Sequence, residues 1–102
     1  MISIPVKEAR NLREKIIGLI GAKPYALLIK THFGIHTFGL KFPIDVLILD
    51  KFNKVVIIKK NLKPKKIFVW NPRYGKVLEM PKGTIDGKKI KINDLIGVRL
   101  LP

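Results

Sequence analysis

The chain has 102 residues, of which 47% are hydrophobic and 27% charged, a composition typical of one folded domain over residues 1–102 and unlike a disordered chain. It contains no cysteine, which excludes disulfides and thiolate metal sites. No apolar run approaches the roughly 18 residues of a membrane span, and the first residues lack the pattern of a signal peptide, so we expect a cytoplasmic protein.

The charge of the chain is strongly unbalanced. It carries 21 Lys and Arg against 7 Asp and Glu, a formal net charge of +14. Residues 51–102 hold most of the excess. Such a charge favours attraction to a polyanion such as RNA, DNA or an acidic membrane surface. The alternative interpretation is a solvated, lysine-rich surface with a thermophile-like composition.

The N-terminal quarter of the chain predicts one strand, one helix and a second strand. Alternating apolar residues over 2–6 indicate a strand, and Pro5 places it at a sheet edge. Apolar residues at intervals of three and four then predict one short N-terminal helix, roughly residues 8–20, ended by Gly21. Residues 25–30 form a short apolar strand.

The central segment, residues 34–50, has the strongest strand pattern. If residues 35–42 are extended, His36 and Phe38 share a face with Leu40 and Phe42. Pro43 separates this strand from the next. Residues 44–50 are apolar on both faces except at Asp45, which predicts a strand buried on two sides.

The remaining segments predict further short strands joined by turns. Residues 44–50 should form a hairpin with 55–59, because Asp50 to Lys54 are turn residues. The other predicted segments are a loop at 60–66, strands at 67–70 and 77–80 around a turn at 71–75, an irregular stretch at 81–87, and strands at 88–92 and 95–101. We therefore predict a mainly β fold, a compact antiparallel β-sandwich or barrel-like sheet with one short N-terminal helix.

Three segments resemble a known family, the domain of unknown function 192 family. They are 36–40 (His-Thr-Phe-Gly-Leu), 42–46 (Phe-Pro-Ile-Asp-Val) and 77–81 (Val-Leu-Glu-Met-Pro). The resemblance spans most of the chain. It implies a compact, mostly β domain and brings no established activity with it.

Two histidines and two carboxylates provide the side chains most suited to a site: His32, His36, Asp45 and Glu79. Polar groups inside an otherwise apolar pair of strands favour a small-ligand pocket bordered by His36, Thr37, Asp45 and Glu79. These residue types also suit a divalent metal or acid–base chemistry, so a metal-dependent hydrolase is an alternative. The simplest interpretation is that His36 and Asp45 satisfy each other or the backbone. We assign no catalytic residue, metal site or cofactor.

The lysine-rich segment, residues 59–66, provides the second candidate site. Five lysines lie among eight residues without an acid, and aromatic residues follow directly. Small β-barrels hold single-stranded nucleic acid in this way, with phosphates on lysines and bases stacked on rings. The predicted polyanion-binding residues are Lys59, Lys60, Lys63, Lys65, Lys66 and Trp70. The alternative is a solvated loop.

Overall fold

Eight strands and one short helix form the part of the chain that the computed structural model describes, residues 1–9 and 26–102. In chain order they are β1 (Ile2–Ala9), β2 (Ala26–Lys30), β3 (Ile35–His36), β4 (Ile44–Leu49), β5 (Val55–Leu62), β6 (Ile67–Phe68), β7 (Lys76–Pro81), α1 (Thr84–Gly87) and β8 (Ile96–Leu100). The mainly β prediction is confirmed. Within these ranges no helix is long and apolar enough to cross a membrane.

Six strands form one mixed sheet in the order β5-β4-β7-β2-β1-β8. The pairs from β5 to β2 are antiparallel, whereas β1 runs parallel to both β2 and β8. An isolated antiparallel bridge between Lys54 and Leu95 joins the residues that directly precede the two edge strands, β5 and β8. The prediction of an antiparallel sheet therefore fails at β1, because residue alternation carries no information about strand direction. Strands β3 and β6 form a separate antiparallel pair.

Strand β4 is buried on both faces, as predicted, because it separates two apolar clusters. The inner core receives residues from all six strands of the large sheet and from the segment around α1: Ile4, Val6, Ala26, Leu28, Leu47, Leu49, Val55, Leu78, Met80, Ile85, Ile90 and Ile96. The outer core lies between the opposite sheet face and the β3–β6 pair: Leu27, Ile35, Leu40, Ile44, Val46, Ile48, Leu62 and Val77. The predicted hairpin between β4 and β5 is also confirmed.

The N-terminal strand is longer than predicted and lies inside the sheet. Glu8 and Ala9, expected to begin a helix, pair with β2 as strand residues. The rest of the predicted helix, up to residue 20, lies outside the described residues. The prediction of an edge strand is wrong as well. Pro5 pairs with Arg99 of β8, and within the described residues the pairing of β1 with β2 covers Val6 to Ala9.

Two other strand predictions, for residues 35–42 and 88–92, are wrong. In both segments apolar and polar residues alternate as in a strand, but the chain forms turns. Strand β3 ends at His36, and the chain then turns, with the Leu40 N–H donating to the Thr37 carbonyl (3.2 Å) and Gly39 at φ 90°. Residues 88–92 form turns after α1. There Ile90 enters the inner core while Ile92 stays 48% exposed, although the two side chains would share one face of a strand.

The Asp45 carboxylate holds α1 against the sheet. It is 2% exposed and accepts three backbone N–H groups, Asn61 at Oδ1 (3.0 Å) and Gly83 and Ile85 at Oδ2 (3.1 and 3.0 Å). It therefore connects β4 with the end of β5 and the start of α1. A buried carboxylate needs such donors, since leaving it unpaired costs several kcal/mol.

We expect Asp45→Ala to lower the free energy of unfolding by about 3 kcal/mol or more, because one buried and two part-buried N–H groups lose their acceptor. Asp45→Asn keeps one acceptor oxygen and should lose less. Asp94→Ala is the matched control: Asp94 accepts one exposed N–H, from Lys91, and its loss should stay below about 1 kcal/mol. Denaturant unfolding measures all three. Equal losses for Asp45→Ala and Asp94→Ala would contradict this role.

Asp50 organises the β4–β5 turn and should titrate below the ordinary Asp value of about 3.9. The Lys54 N–H donates to its carboxylate (2.9 Å) and lowers its pKa, and the Phe52 N–H (2.8 Å) acts in the same direction. Between the folded and unfolded pKa values the unfolded chain binds more protons, so stability falls as the pH drops through this window. Carboxyl-carbon NMR titration should give an Asp50 midpoint below 3.9. A midpoint at or above that value would contradict the prediction.

Candidate functional site

The two carboxylates of the predicted ligand pocket lie on opposite faces of the large sheet. In the β4–β7 ladder Asp45 pairs with Met80, which belongs to the inner core, whereas Glu79 pairs with Val46, which belongs to the outer core. Side chains directly opposite each other share a face. The sheet itself therefore separates Asp45 from Glu79, although both are buried.

His36 and Thr37 lie beside each other at the end of β3 but face different surroundings. His36 is exposed, and Thr37 is completely buried. The Thr37 hydroxyl donates to the Lys63 carbonyl (2.7 Å) and accepts the Lys66 N–H (2.9 Å). The Thr37 backbone N–H donates to the Lys66 carbonyl (2.9 Å). Thr37 thus ties the His-Thr-Phe segment to the lysine-rich loop, so segments predicted for two separate sites lie next to each other.

The lysine-rich segment borders an open groove of about 370 Å³ beside this junction. It is lined by Lys59, Asn61, Leu62, Lys63, Lys66, Ile67 and Phe68. Three of these are exposed lysines, and none of the described residues that line the groove is acidic. Asn61 and Lys65 adopt positive φ values of 55° and 62°, which bend the chain around the groove.

Exposed apolar side chains cover the outer surface of the β3–β6 pair next to the groove. Ile67, directly opposite His36, is 70% exposed. Phe38 is 51% exposed, and its ring centroid lies 5.6 Å from that of His36. Phe38 was not among the predicted site residues, although alternation already grouped it with His36. We call His36, Phe38 and Ile67 the ring platform.

Trp70 is placed differently from the prediction that it serves the lysine-rich site. It is half-buried against the outer core, its ring is tilted 47° to Phe68, and its indole N–H donates to the Tyr74 carbonyl (2.8 Å). A buried indole usually finds such a hydrogen-bond partner. Trp70 therefore helps to hold β6 in place, and Phe38 is the aromatic ring exposed on the ring platform.

Of the five lysines predicted to bind a polyanion, one forms an ion pair with a carboxylate of the described residues. Lys60 contacts Asp86 of α1 (2.6 Å), in a pair whose side chains are 52% and 73% exposed. Within the described ranges Lys59, Lys63, Lys65 and Lys66 form no such pair.

His32 is separate from the groove and binds the loop at 71–75. It is exposed, its Nδ1 donates to the Pro72 carbonyl (2.7 Å), and its ring packs over Gly75, where a side chain would clash. Across residues 1–9 and 26–102, no group of three or more His, Asp or Glu side chains is arranged to hold a metal ion.

We expect Thr37→Val to loosen the junction between the His-Thr-Phe segment and the lysine-rich loop. The valine removes the hydroxyl at nearly constant volume, so the free energy of unfolding should fall by about 1–3 kcal/mol and the Lys66 amide should exchange its hydrogen faster. Thr31→Val is the control, since the Thr31 hydroxyl accepts only the exposed Phe33 N–H (3.3 Å). Unchanged Lys66 exchange in Thr37→Val would contradict this role.

Known proteins resemble the chain in sequence pattern and in fold. A crystal structure from Sinorhizobium meliloti 1021, described as a "putative transcription regulator", has a TM-score of 0.63 at 16% identity, covering 88% of this chain and 76% of that one. A protein of unknown function from Novosphingobium aromaticivorans DSM 12444 has a TM-score of 0.66 at 16% identity, covering 91% and 71%. No curated protein matches the sequence. The DUF192 model, described as "Uncharacterized ACR", matches residues 2–98, and the chain therefore belongs to this family.

Proposed function

We propose that this chain binds single-stranded nucleic acid across the lysine-lined groove and the adjacent ring platform. The observation that carries the proposal is the Thr37 junction: Thr37, which lies between His36 and Phe38 in the chain, is hydrogen-bonded to the backbone of Lys63 and Lys66, two of the three exposed lysines of the groove. Phosphates would lie on Lys59, Lys63 and Lys66, and bases would stack on the rings. Positive grooves beside exposed rings are the arrangement that single-strand binding requires.

The residue types favour binding without sequence readout. Lysine attracts phosphates as a flexible point charge, whereas arginine is the usual side chain for bidentate contacts to guanine. The groove lysines are therefore suited to following a backbone, and stacking accepts every base because each has a π-face. The positive field of the chain would also speed association with a polyanion.

The other predicted functions find less support in the arrangement of side chains. A small-ligand pocket would need Asp45 and Glu79 on the same side of the sheet as His36, and Asp45 already accepts three N–H groups. A metal-dependent hydrolase would need several side-chain ligands close enough to share one metal ion, and the described residues include no such group. One similar structure is described as a "putative transcription regulator", but at 16% identity the likeness concerns the fold alone.

The first test replaces the groove lysines and measures binding of a labelled single strand of about ten nucleotides, within the usual site size, by fluorescence anisotropy at several salt concentrations. We expect Lys59→Gln, Lys63→Gln and Lys66→Gln together to weaken binding at least tenfold. The slope of log K against log salt should shrink by about 2, since single strands release about 0.7 counterion per phosphate contact.

The matched control is the triple replacement Lys88→Gln, Lys89→Gln and Lys91→Gln. It removes the same charge from exposed lysines that do not line the groove. Its affinity should stay within about threefold of the original, as expected when only the general field changes. Equal weakening by both triple variants would contradict a specific groove and leave only the net charge as the cause.

A second test separates stacking from charge. Phe38→Ala should weaken binding by about fivefold or more, because base–aromatic stacking contributes about 1–3 kcal/mol per base, while the salt slope stays unchanged. Heparin, a polyanion without bases, should bind Phe38→Ala as well as it binds the original chain. An unchanged oligonucleotide affinity in Phe38→Ala would contradict the role of the ring platform.

A further inference from the structure

A second surface lies at the edge of the large sheet where β2 and β4 end and their neighbour β7 begins. Lys76 pairs directly with both Lys30 and Leu49, so β2, β7 and β4 reach the same level of the sheet. The loops at these strand ends are 31–34, 71–75 and 50–54. We call them together the loop-tip surface. The outer two loops leave strands that are two strand spacings apart, about 10 Å.

Hydrogen bonds connect the three loops. The Thr31 N–H donates to the Gly75 carbonyl (3.1 Å), and His32 donates to the Pro72 carbonyl (2.7 Å). On the other side, the Lys76 ammonium donates to the Asn53 side chain (2.8 Å). The loops therefore hold their side chains in a fixed relation to one another.

Two phenylalanines project from the outer loops of this surface. Phe33 is 88% exposed and Phe52 is 71% exposed, and they are the two most exposed aromatic side chains of the described residues. Phe33 lies within the loop at 31–34 and Phe52 within the turn at 50–54, and neither packs into the inner or outer core. Large apolar side chains exposed at loop tips are a feature of surfaces that contact a membrane or a partner.

Positive charges lie in two of the three loops, those at 50–54 and 71–75. The loop-tip surface and the adjoining Lys76 include four cations, Lys51, Lys54, Arg73 and Lys76, against one carboxylate, Asp50. Asp50 accepts the Phe52 and Lys54 N–H groups within its own turn. The Lys51 ammonium lies 5.2 Å from the centroid of the Phe52 ring, and the Arg73 guanidinium lies 5.6 Å from that of Tyr74. A cation and an aromatic ring therefore lie next to each other in the loop at 50–54 and again in the loop at 71–75.

We propose that the loop-tip surface docks on an anionic phospholipid bilayer, with Phe33 and Phe52 inserted at the boundary between headgroups and acyl chains. Lys51 and Arg73 would contact lipid phosphates, and the cavity of about 450 Å³ lined by Asp50, Lys51, Phe52, Arg73 and Tyr74 lies where a headgroup would enter. Anionic leaflets attract such cations, and aromatic rings favour the interfacial region. Rings that project from loop tips fit a bilayer better than a nucleic acid. Single-strand binding would need an elongated positive groove for the sugar-phosphate backbone beside the rings, and Phe33 and Phe52 do not border one.

This surface is distinct from the proposed nucleic-acid groove. The groove lies where Leu62 pairs with Ile44, at the start of β4, whereas the loop-tip surface begins at Leu49, at its end. Five residue steps of strand separate the two ends of β4, about 17 Å. Variants of one surface can therefore be scored against the ligand of the other.

Co-sedimentation with vesicles tests the proposal. One set contains phosphatidylcholine alone, and the other has phosphatidylglycerol as one third of its lipid. We expect the original chain to bind the anionic set. Phe33→Ser with Phe52→Ser should weaken this binding at least tenfold and leave oligonucleotide binding unchanged. Phe38→Ser with Ile67→Ser, which also removes two exposed apolar side chains, should retain vesicle binding.

Three outcomes would overturn the proposal: no binding to anionic vesicles, binding that the Phe33 and Phe52 changes leave intact, or a loss of oligonucleotide binding caused by those changes. The second would identify simple charge attraction. The third would assign the loop-tip surface to nucleic acid.

A spectroscopic readout tests insertion directly. The natural chain has no cysteine, so Phe33→Cys provides a unique position for an environment-sensitive NBD label. We expect a blue shift of its emission with anionic vesicles and quenching by lipids that carry a quencher on the upper acyl chain. A label placed at Lys89→Cys, on the exposed turn after α1, should show neither change. A label at position 33 that stays in water while the protein is bound would overturn the insertion step.

Discussion

Burial of β4 on both faces is the constraint on which the rest of the structure depends. A strand with apolar side chains on two sides needs two coverings, and the chain supplies them as an inner core enclosed by the large sheet and an outer core beneath the β3–β6 pair. Both coverings require the chain to turn back sharply, which places polar segments around them. The groove beside the β3–β6 pair and the loops at the far end of β4 are consequences of covering this strand.

Features that depend on local periodicity were predictable, and those that depend on distant partners were not. The hairpin after Asp50 follows from its turn residues, and the burial of Val46 and Leu47 follows from an apolar pattern on both faces. The parallel direction of β1 and the interior position of Pro5 depend on which strands lie alongside, and alternation does not record this. The turn after His36 escaped prediction because the Thr37 hydroxyl binds backbone groups 26 and 29 residues away.

The candidate site was predictable in composition but not in arrangement. Residue types identified Asp45 and Glu79 as candidate site carboxylates, but only the β4–β7 register shows that they face opposite ways. The lysine-rich segment and the His-Thr-Phe segment were recognised as separate features, and a single buried hydroxyl joins them. Trp70 illustrates the limit of composition, because a large ring near lysines can equally serve the core, where its indole N–H has a partner.

The parallel pairing of the first and last strands also has a consequence for how the chain folds. Ile2 pairs with Ile96, so this contact joins residues 94 positions apart in sequence, whereas the β4–β5 hairpin joins near neighbours. Pairings between distant residues pay their loop-closure entropy before they gain contacts, and they slow folding. The hairpin can form while the chain is still being synthesised, but the place of β1 between β2 and β8 is completed only after the last strand has left the ribosome.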